Sequence, residues 1–322
     1  MNSNHGAGAR RVYLRLSVTD RCNLRCRYCR PAESFPAADD VPAASDEELL
    51  GLIEVLSRQC CLYKLRLTGG EPLLHSRLPA LVRQLRRRLP NTILCLTTNG
   101  LLLAEQAADL RAAGLDAINV SLDAIDSSGF AAVTGGGRLG ATLAGIRAAR
   151  GAGFAPLKIN TVLIRRYNGH CLAGLVRLAA REQCEIRFIE LMPCGSGARL
   201  FASDFLSAAE ALTRLSESLV DLGPEPASAT ARRRRLLVDG RATRVGFITA
   251  VSSPFCEQCD RLRLDSRGRL VSCLRSPQYV DLLTPWRAGD VEGTAERLRE
   301  CLDRKGPPDS TWPRRAMVAI GG

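Results

Sequence analysis

The strongest constraint on the fold is an alternation. Six short β-like runs, Val12 to Val18, Lys64 to Leu67, Thr92 to Thr98, Ala117 to Leu122, Leu157 to Ile164 and Glu185 to Leu191, are separated by stretches with helical spacing. SDEELLGLIEVLSRQ, from Ser45, opens on a capping serine and an acidic turn and carries apolar residues three and four apart. Leu78 to Leu89 and Gly140 to Gly153 have the same character. Strand and helix repeated in this way predict a parallel sheet with helices outside it. Six units fall short of a closed eight-stranded barrel. The expected fold is therefore α/β, a partial (β/α)6 TIM-like barrel, whose chemistry collects at the C-terminal ends of its strands.

The pattern changes near residue 222. Gly223 to Arg235, rich in Pro, Ala and Arg, reads as a linker or exposed loop. Two hairpins follow, one turning at Asp239-Gly240 and one near Arg267-Gly268. The expected organisation is a flexible N-terminus over 1–11, a core over 12–222 and a C-terminal α+β extension over 223–322. No apolar run approaches the roughly 20 residues that cross a bilayer, so no membrane partner is expected.

Two features of composition need a chemical account: 13 cysteines and a net charge of +12. An odd cysteine count argues against a complete disulfide set. The start, MNSNHGAGARR, has no apolar core of a secretory signal, so a reducing, cytoplasmic home is expected. CNLRCRYC after the first run spaces Cys22, Cys26 and Cys29 as C-x3-C-x2-C. Three thiolates on one loop suit a zinc knuckle or a [4Fe-4S] cube with one iron left open. TGGEP, Thr68 to Pro72, follows the second run. Cys256, Cys259 and Cys273 form a second set, C-x2-C-x13-C, for which zinc is the default reading in isolation. Cys60, Cys61, Cys95, Cys171, Cys184, Cys194 and Cys301 read as buried or incidental, with Cys194 nearest a strand end.

The first triad, with Tyr28 before its last cysteine and GGEP downstream, resembles the signature of the radical S-adenosylmethionine superfamily. The resemblance implies a cluster on Cys22, Cys26 and Cys29 that binds S-adenosylmethionine and yields a 5′-deoxyadenosyl radical. It assigns Tyr28, Gly70, Ser121 and Met192 to that cofactor. The stretch FCEQCDRLRLDSRGRLVSCL and the terminal Gly321-Gly322 closely resemble the GTP 3′,8-cyclase family of molybdenum cofactor biosynthesis, over Tyr13 to Gly322. That resemblance implies a second [4Fe-4S] cluster on Cys256, Cys259 and Cys273, and hydrogen abstraction from C3′ of GTP followed by closure onto C8. It places Arg15, Arg66, Thr97, Lys158, Arg261, Leu262 and Arg263 on GTP. It gives Arg15, Arg261, Arg263, Gly321 and Gly322 roles in turnover. Asp260 stands where the family usually has Asn, Ser253 where His is common, and the tail reads MVAIGG.

Expected partners are GTP, an electron donor, cyclic pyranopterin monophosphate synthase as the next enzyme, and a second copy in a homodimer. A peptide-modifying maturase of the same superfamily is the nearest rival, though such enzymes usually carry more C-terminal cysteines. A basic zinc protein that binds nucleic acid would account for the charge but not for CNLRCRYC with GGEP. Aromatic residues, 5% of the chain, do not interleave with the basic ones as base-stacking platforms do. Only Lys64, Lys158 and Lys305 of the 45 basic residues are lysines. Arg15, Arg66 and Lys158 come from three different strands at expected inward positions, so one convergent anion is expected rather than a nucleic acid.

Overall fold

The computed structural model describes residues 10–29, 42–226, 231–276, 278–305 and 312. β1 (Arg11–Ser17), β2 (Cys61–Thr68), β3 (Ile93–Thr98), β4 (Ala117–Ser121), β5 (Lys158–Leu163) and β6 (Glu185–Glu190) lie side by side in sequence order, all parallel. These are the six expected strands, each shifted by no more than a few residues at its ends. Helices such as Asp46–Gln59, Leu78–Arg88 and Leu139–Gly151 connect them. The first opens on a reciprocal cap: the Glu48 amide donates to Ser45 Oγ at 3.2 Å, and the Ser45 amide to Glu48 Oε2 at 2.7 Å.

Strand alternation sorts the side chains. Leu14, Leu16, Leu65, Leu67, Leu94, Leu96 and Ile118 face the helices and are fully buried against residues such as Leu49, Ile53, Leu81, Leu85 and Leu110. The opposite face carries Arg15, Arg66, Thr97, Asn119, Lys158 and Arg187. The sheet therefore has one apolar face that drives folding and one polar face left for chemistry.

The C-terminal region is woven into the same sheet. β7 (Val220–Glu225), β8 (Arg232–Val238) and β9 (Arg241–Ile248) form an antiparallel ribbon, and β9 pairs in parallel with β6. β10 (Arg261–Leu264) pairs in parallel with β1, and β11 (Arg269–Val271) and β12 (Val280–Asp281) continue outward from it. The full order is β12-β11-β10-β1-β2-β3-β4-β5-β6-β9-β8-β7. Residue 222 falls inside β7. In a flat sheet β10 and β6 would stand roughly 29 Å apart, at ~4.8 Å per strand. Yet Cys194, just beyond β6, is close enough to Arg263 on β10 for each to perturb the other's ionisation. The sheet therefore curls back on itself, with the C-terminal strands flanking both edges of the six-stranded core.

Both expected hairpins are present. Asp239 and Gly240 both take positive φ, 47° and 76°, as a two-residue turn between twisted strands requires. The expected linker is a correction: Gly223–Glu225 belongs to β7 and Arg232–Arg235 to β8, while 227–230 lie outside the described residues. Arg234, Arg235 and Arg244 have carboxylate partners within the ribbon, whereas Arg232 donates to Ser253 Oγ at 2.7 Å and Arg233 faces Glu185 of β6 at 3.7 Å. Arg234 Nε meets Asp221 Oδ2 at 2.7 Å, Arg235 Nη2 meets Glu225 Oε1 at 2.7 Å, and Arg244 Nε meets Glu225 Oε2 at 2.6 Å.

Glu190, at the end of β6, locks the extension to the core. It is fully buried and accepts from the amides of Ala208 at 3.0 Å, Val251 at 3.0 Å and Ser252 at 2.8 Å. Replacing Glu190 by Ala leaves these donors without their acceptor, and the expected cost is about 3 kcal/mol. Denaturant unfolding measures that loss, and faster hydrogen exchange at Val251 and Ser252 localises it.

Candidate active site

Cys22, Cys26 and Cys29 occupy the loop that leaves the C-terminal end of β1. Main-chain contacts grip this loop from two sides. The amides of Gly70 and Glu71 donate to the carbonyls of Thr19 and Arg21, each at 2.8 Å. The Arg25 and Arg27 amides donate to Thr134 O at 2.9 Å and Val133 O at 3.0 Å. Only glycine permits the first approach: a Cβ on Gly70 would lie 2.2 Å from Arg21 O, and one on Gly69, at φ +149°, 2.4 Å from Thr19 O. Burial first, then the neighbouring Cys29, Asp123 and Cys22, push the Cys26 thiol well up. Three thiols crowded in this way gain from a cation that neutralises them.

The residues around the loop are tied to strand ends. Tyr28 Oη donates to Asp123 Oδ2 at 2.7 Å, and the Val162 amide donates to Asp123 Oδ1 at 2.8 Å. Burial pushes Asp123 up to about 6 and Glu71 to about 7, against the hydrogen bonds each accepts. Glu71 receives the Thr98 hydroxyl at 2.6 Å and the Asn99 amide at 2.7 Å, so it braces β2 against β3. A Cβ on Gly197 would meet Met192 O at 2.4 Å and Tyr28 O at 3.5 Å, which places Tyr28 and Met192 side by side. Ser121 closes β4 opposite Asn160 of β5. Asn119 Oδ1 and Asn160 Oδ1 are buried and have no hydrogen-bond partner among the described residues. Each is an acceptor suited to a ligand's hydroxyl or amino group.

The second triad lies at the other end of the sheet. Cys256 and Cys259 bracket a 3-10 turn before β10, and Cys273 follows β11, which runs antiparallel to β10. All three thus sit at the N-terminal end of β10 and its parallel neighbour β1, whereas the first triad follows the C-terminal end of β1. Burial first, then Cys273 and Cys259, raise Cys256. Burial also works to raise Cys259, but Arg261 and Lys305 outweigh it and bring that thiol below its ordinary value. Arg261 Nε donates to Cys259 Sγ at 3.4 Å.

Between the triads the polar face is crowded with cations. Register sets Arg15 beside Arg263 on one side and Arg66 on the other. Arg66, only 5% exposed, donates to Tyr13 Oη at 2.5 Å, Leu96 O at 3.0 Å and Thr97 Oγ1 at 3.1 Å. Burial, then Arg66 and Arg261, push Arg15 down to about 10 against the pull of Tyr13. Burial, then Arg15 and Arg261, hold Arg263 well below its usual range. Burial, then Arg187, Lys64 and Arg66, bring Lys158 down to about 8, while Glu185 opposes them. Glu185 itself binds Arg187 at 2.6 Å. Arg15, Arg263 and Lys158 all shift down, whereas Tyr13 and Cys95 raise Arg66 against its burial; an anion between the strands would relieve the three that resist their charge.

The comparisons with known proteins converge. Residues 16–179 match the family model of the Radical SAM superfamily, and residues 184–310 that of Molybdenum Cofactor Synthesis C. The GTP 3′,8-cyclase of Peptoclostridium acidaminophilum is 39% identical over 319 residues, covering 98% of this chain and 97% of the relative. That of Pelotomaculum thermopropionicum is 40% identical over 322 residues, covering 96% and 97%. The chain belongs to the GTP 3′,8-cyclase family of the radical SAM superfamily. Among solved structures, Streptococcus suis SuiB bound to S-adenosylmethionine shares the fold, with a TM-score of 0.61 at 16% identity over 86% of this chain and 66% of that one.

Membership in the superfamily implies a [4Fe-4S] cluster and S-adenosylmethionine, and the residues fit them. Three thiols on a glycine-clamped loop are the donor set of a cube short of one ligand. Among the described residues no three His, Cys, Asp or Glu side chains converge on a single metal ion; a cube instead spreads its thiolates over separate irons. Of the positions expected for a GTP 3′,8-cyclase, the sheet brings Arg15, Arg66, Thr97, Lys158, Arg261 and Arg263 onto one face. Leu262 points the other way: its side chain is fully buried in the core, opposite Leu14. Gly321 and Gly322 lie outside the described residues.

The structure adds Lys64, Arg187, Asn119 and Asn160 to the lining, and Asp123 as the partner of Tyr28. Strand alternation carries a signal for most of them. Lys64 stands two before Arg66, Asn119 two before Ser121, and Asn160 two after Lys158.

The cationic lining sets a pH dependence. A polyanion raises the Lys158 pKa above about 8, so binding takes up a proton. Affinity for inorganic triphosphate is expected to be fullest below pH 8 and to fall above it by up to about tenfold per pH unit. Lys158→Met is expected to bind more weakly and to lose this slope. Titration calorimetry across pH measures both.

Proposed function

We propose that the chain converts GTP to (8S)-3′,8-cyclo-7,8-dihydroguanosine 5′-triphosphate, the first step of molybdenum cofactor biosynthesis. The observation that carries the proposal is the inner row of cations between two thiol triads at opposite ends of the sheet. A triphosphate has the charge this row needs, and a nucleotide extended from it can reach both ends. Cys22, Cys26 and Cys29 would hold the cluster that binds S-adenosylmethionine, with Tyr28, Gly70, Ser121 and Met192 around that cofactor. Cys256, Cys259 and Cys273 would hold a second [4Fe-4S] cluster at the purine end.

Bound there, the first cluster and S-adenosylmethionine would supply radical chemistry directed at C3′ of GTP. The chain's own residues orient and enclose. Arg15, Arg66, Lys158, Lys64 and Arg187 neutralise the triphosphate, and Thr97 is fixed by Arg66 beside them. Arg261 and Arg263 stand between the triphosphate row and the second triad, where they hold charge steady as the ring closes. Fixing C3′ against C8 on a stiff sheet is worth several kcal/mol of barrier as orientation alone. Gly321 and Gly322 are assigned to the same cavity by family pattern.

The expected partners are an electron donor, cyclic pyranopterin monophosphate synthase as the consumer of the product, and a second copy of the chain. A cytoplasmic home fits 13 cysteines with no disulfide among them. No helix among the described residues is long and apolar enough to cross a membrane.

The test is an anaerobic incubation of reduced, cluster-reconstituted protein with S-adenosylmethionine and GTP deuterated at C3′. Deuterium in 5′-deoxyadenosine together with a cyclised nucleotide is the expected result. 5′-Deoxyadenosine formed without dependence on GTP, and no cyclised product, would contradict the assignment. Arg263→Ala is expected to lower product formation by at least about a hundredfold, the scale on which loss of a positioned charge acts.

A further inference from the structure

The chain uses arginine for all but three of its 45 basic residues. Two of the three lysines, Lys64 and Lys158, lie on the polar inner face of the sheet. The third, Lys305, lies at the second triad. It follows the helix Val291–Asp303, which is anchored on the sheet by buried Leu298, Cys301 and Leu302. The Lys305 amide donates to Leu302 O at 3.2 Å, and the Arg10 guanidinium caps the same carbonyl. Its side chain is thereby aimed under the sheet at the open end of the β10–β11 hairpin.

There the ammonium meets three acceptors. Nζ donates to Arg261 O at 2.5 Å, to Ser272 O at 2.8 Å and to Cys259 Sγ at 3.9 Å. Arg261 and Ser272 are on opposite arms of the hairpin, and each is within two residues of a triad cysteine, Cys259 and Cys273. A tetrahedral ammonium can serve three acceptors set around one point, whereas a planar guanidinium fork cannot.

We propose that Lys305 is a positioning residue of the second triad: it clamps the Cys259 and Cys273 arms together and sets a positive N–H donor against a ligand sulfur. This rests on the reading that the triad holds a [4Fe-4S] cluster. Charge and hydrogen bonds at ligand sulfurs set a cluster's potential, and a cation there favours the reduced, more negative state. Lys305 therefore holds the potential of that centre up as well as holding its loop closed.

The test uses the full chain with Cys22, Cys26 and Cys29 replaced by Ala, reconstituted anaerobically so that only the second triad can carry iron. Midpoint potential by EPR-monitored titration and iron release to a chelator are compared for this parent, Lys305→Gln and Lys305→Met. Gln keeps a donor without the charge; Met removes both. The parent is expected to hold about four irons. Both variants are expected to shift the potential negative, disfavouring the reduced state about tenfold, which is about 59 mV for one electron. Met is also expected to release iron faster than Gln. Iron bound in the parent with an unshifted potential in the variants would overturn the role of Lys305 and leave the cluster standing. Absence of iron from the parent would overturn the cluster and the role together.

Discussion

Arg15 stands between Arg66 and Arg263, held there by parallel strand pairing on both sides. Like charges in register on a buried face are costly, and nothing in the fold allows them to drift apart. The cost is tolerable because the other face of the same strands buries a continuous layer of leucine, isoleucine and valine against the helices. The apolar face makes the sheet stiff, and the stiff sheet holds its cations in fixed register for an anion. Preorganised charge of this kind needs no rearrangement when ligand binds.

The two triads depend on the same sheet. The first is fixed by main-chain hydrogen bonds with the loop after β2 and with the C-terminal end of the helix Ser127–Thr134. The second is fixed by strands that join the core at its edges, β10 beside β1 and, through Glu190, the loop after β9 beside β6. Because β10 pairs with β1, the chain's late cysteines arrive at the foot of the very strand whose top leads into the early ones. One strand and its neighbour thus carry both cysteine sets, at opposite ends.

Much of this was legible in the sequence. The strands announced themselves by alternating with amphipathic helices, and each triad by its spacing. Arg15, Arg66 and Lys158 could be placed inward by strand parity. What could not be read was partnership between distant segments. Arg232–Arg235 looked like a solvated loop because the carboxylate partners of Arg234 and Arg235, Asp221 and Glu225, lie on a strand broken by Gly and Pro. Leu262 was grouped with Arg261 and Arg263 by position in a motif, yet alternation turns its side chain into the core. Glu190 and Asp123 gave no local sign of their roles, since those roles consist of hydrogen bonds from distant groups: amides as many as 62 residues from Glu190, and the Tyr28 hydroxyl 95 residues from Asp123. Lys64 and Arg187 were available by parity and became visible only once the curled sheet set them near Lys158.

The central claim is that the inner face selects a nucleotide by its phosphate chain. The direct measurement is the affinity of the reconstituted protein for GTP, GDP, GMP and guanosine at one pH and two salt concentrations. The account predicts a stepwise loss of affinity with each phosphate removed, and a salt dependence that shrinks in step. Guanosine binding as tightly as GTP, with no dependence on salt, would contradict it.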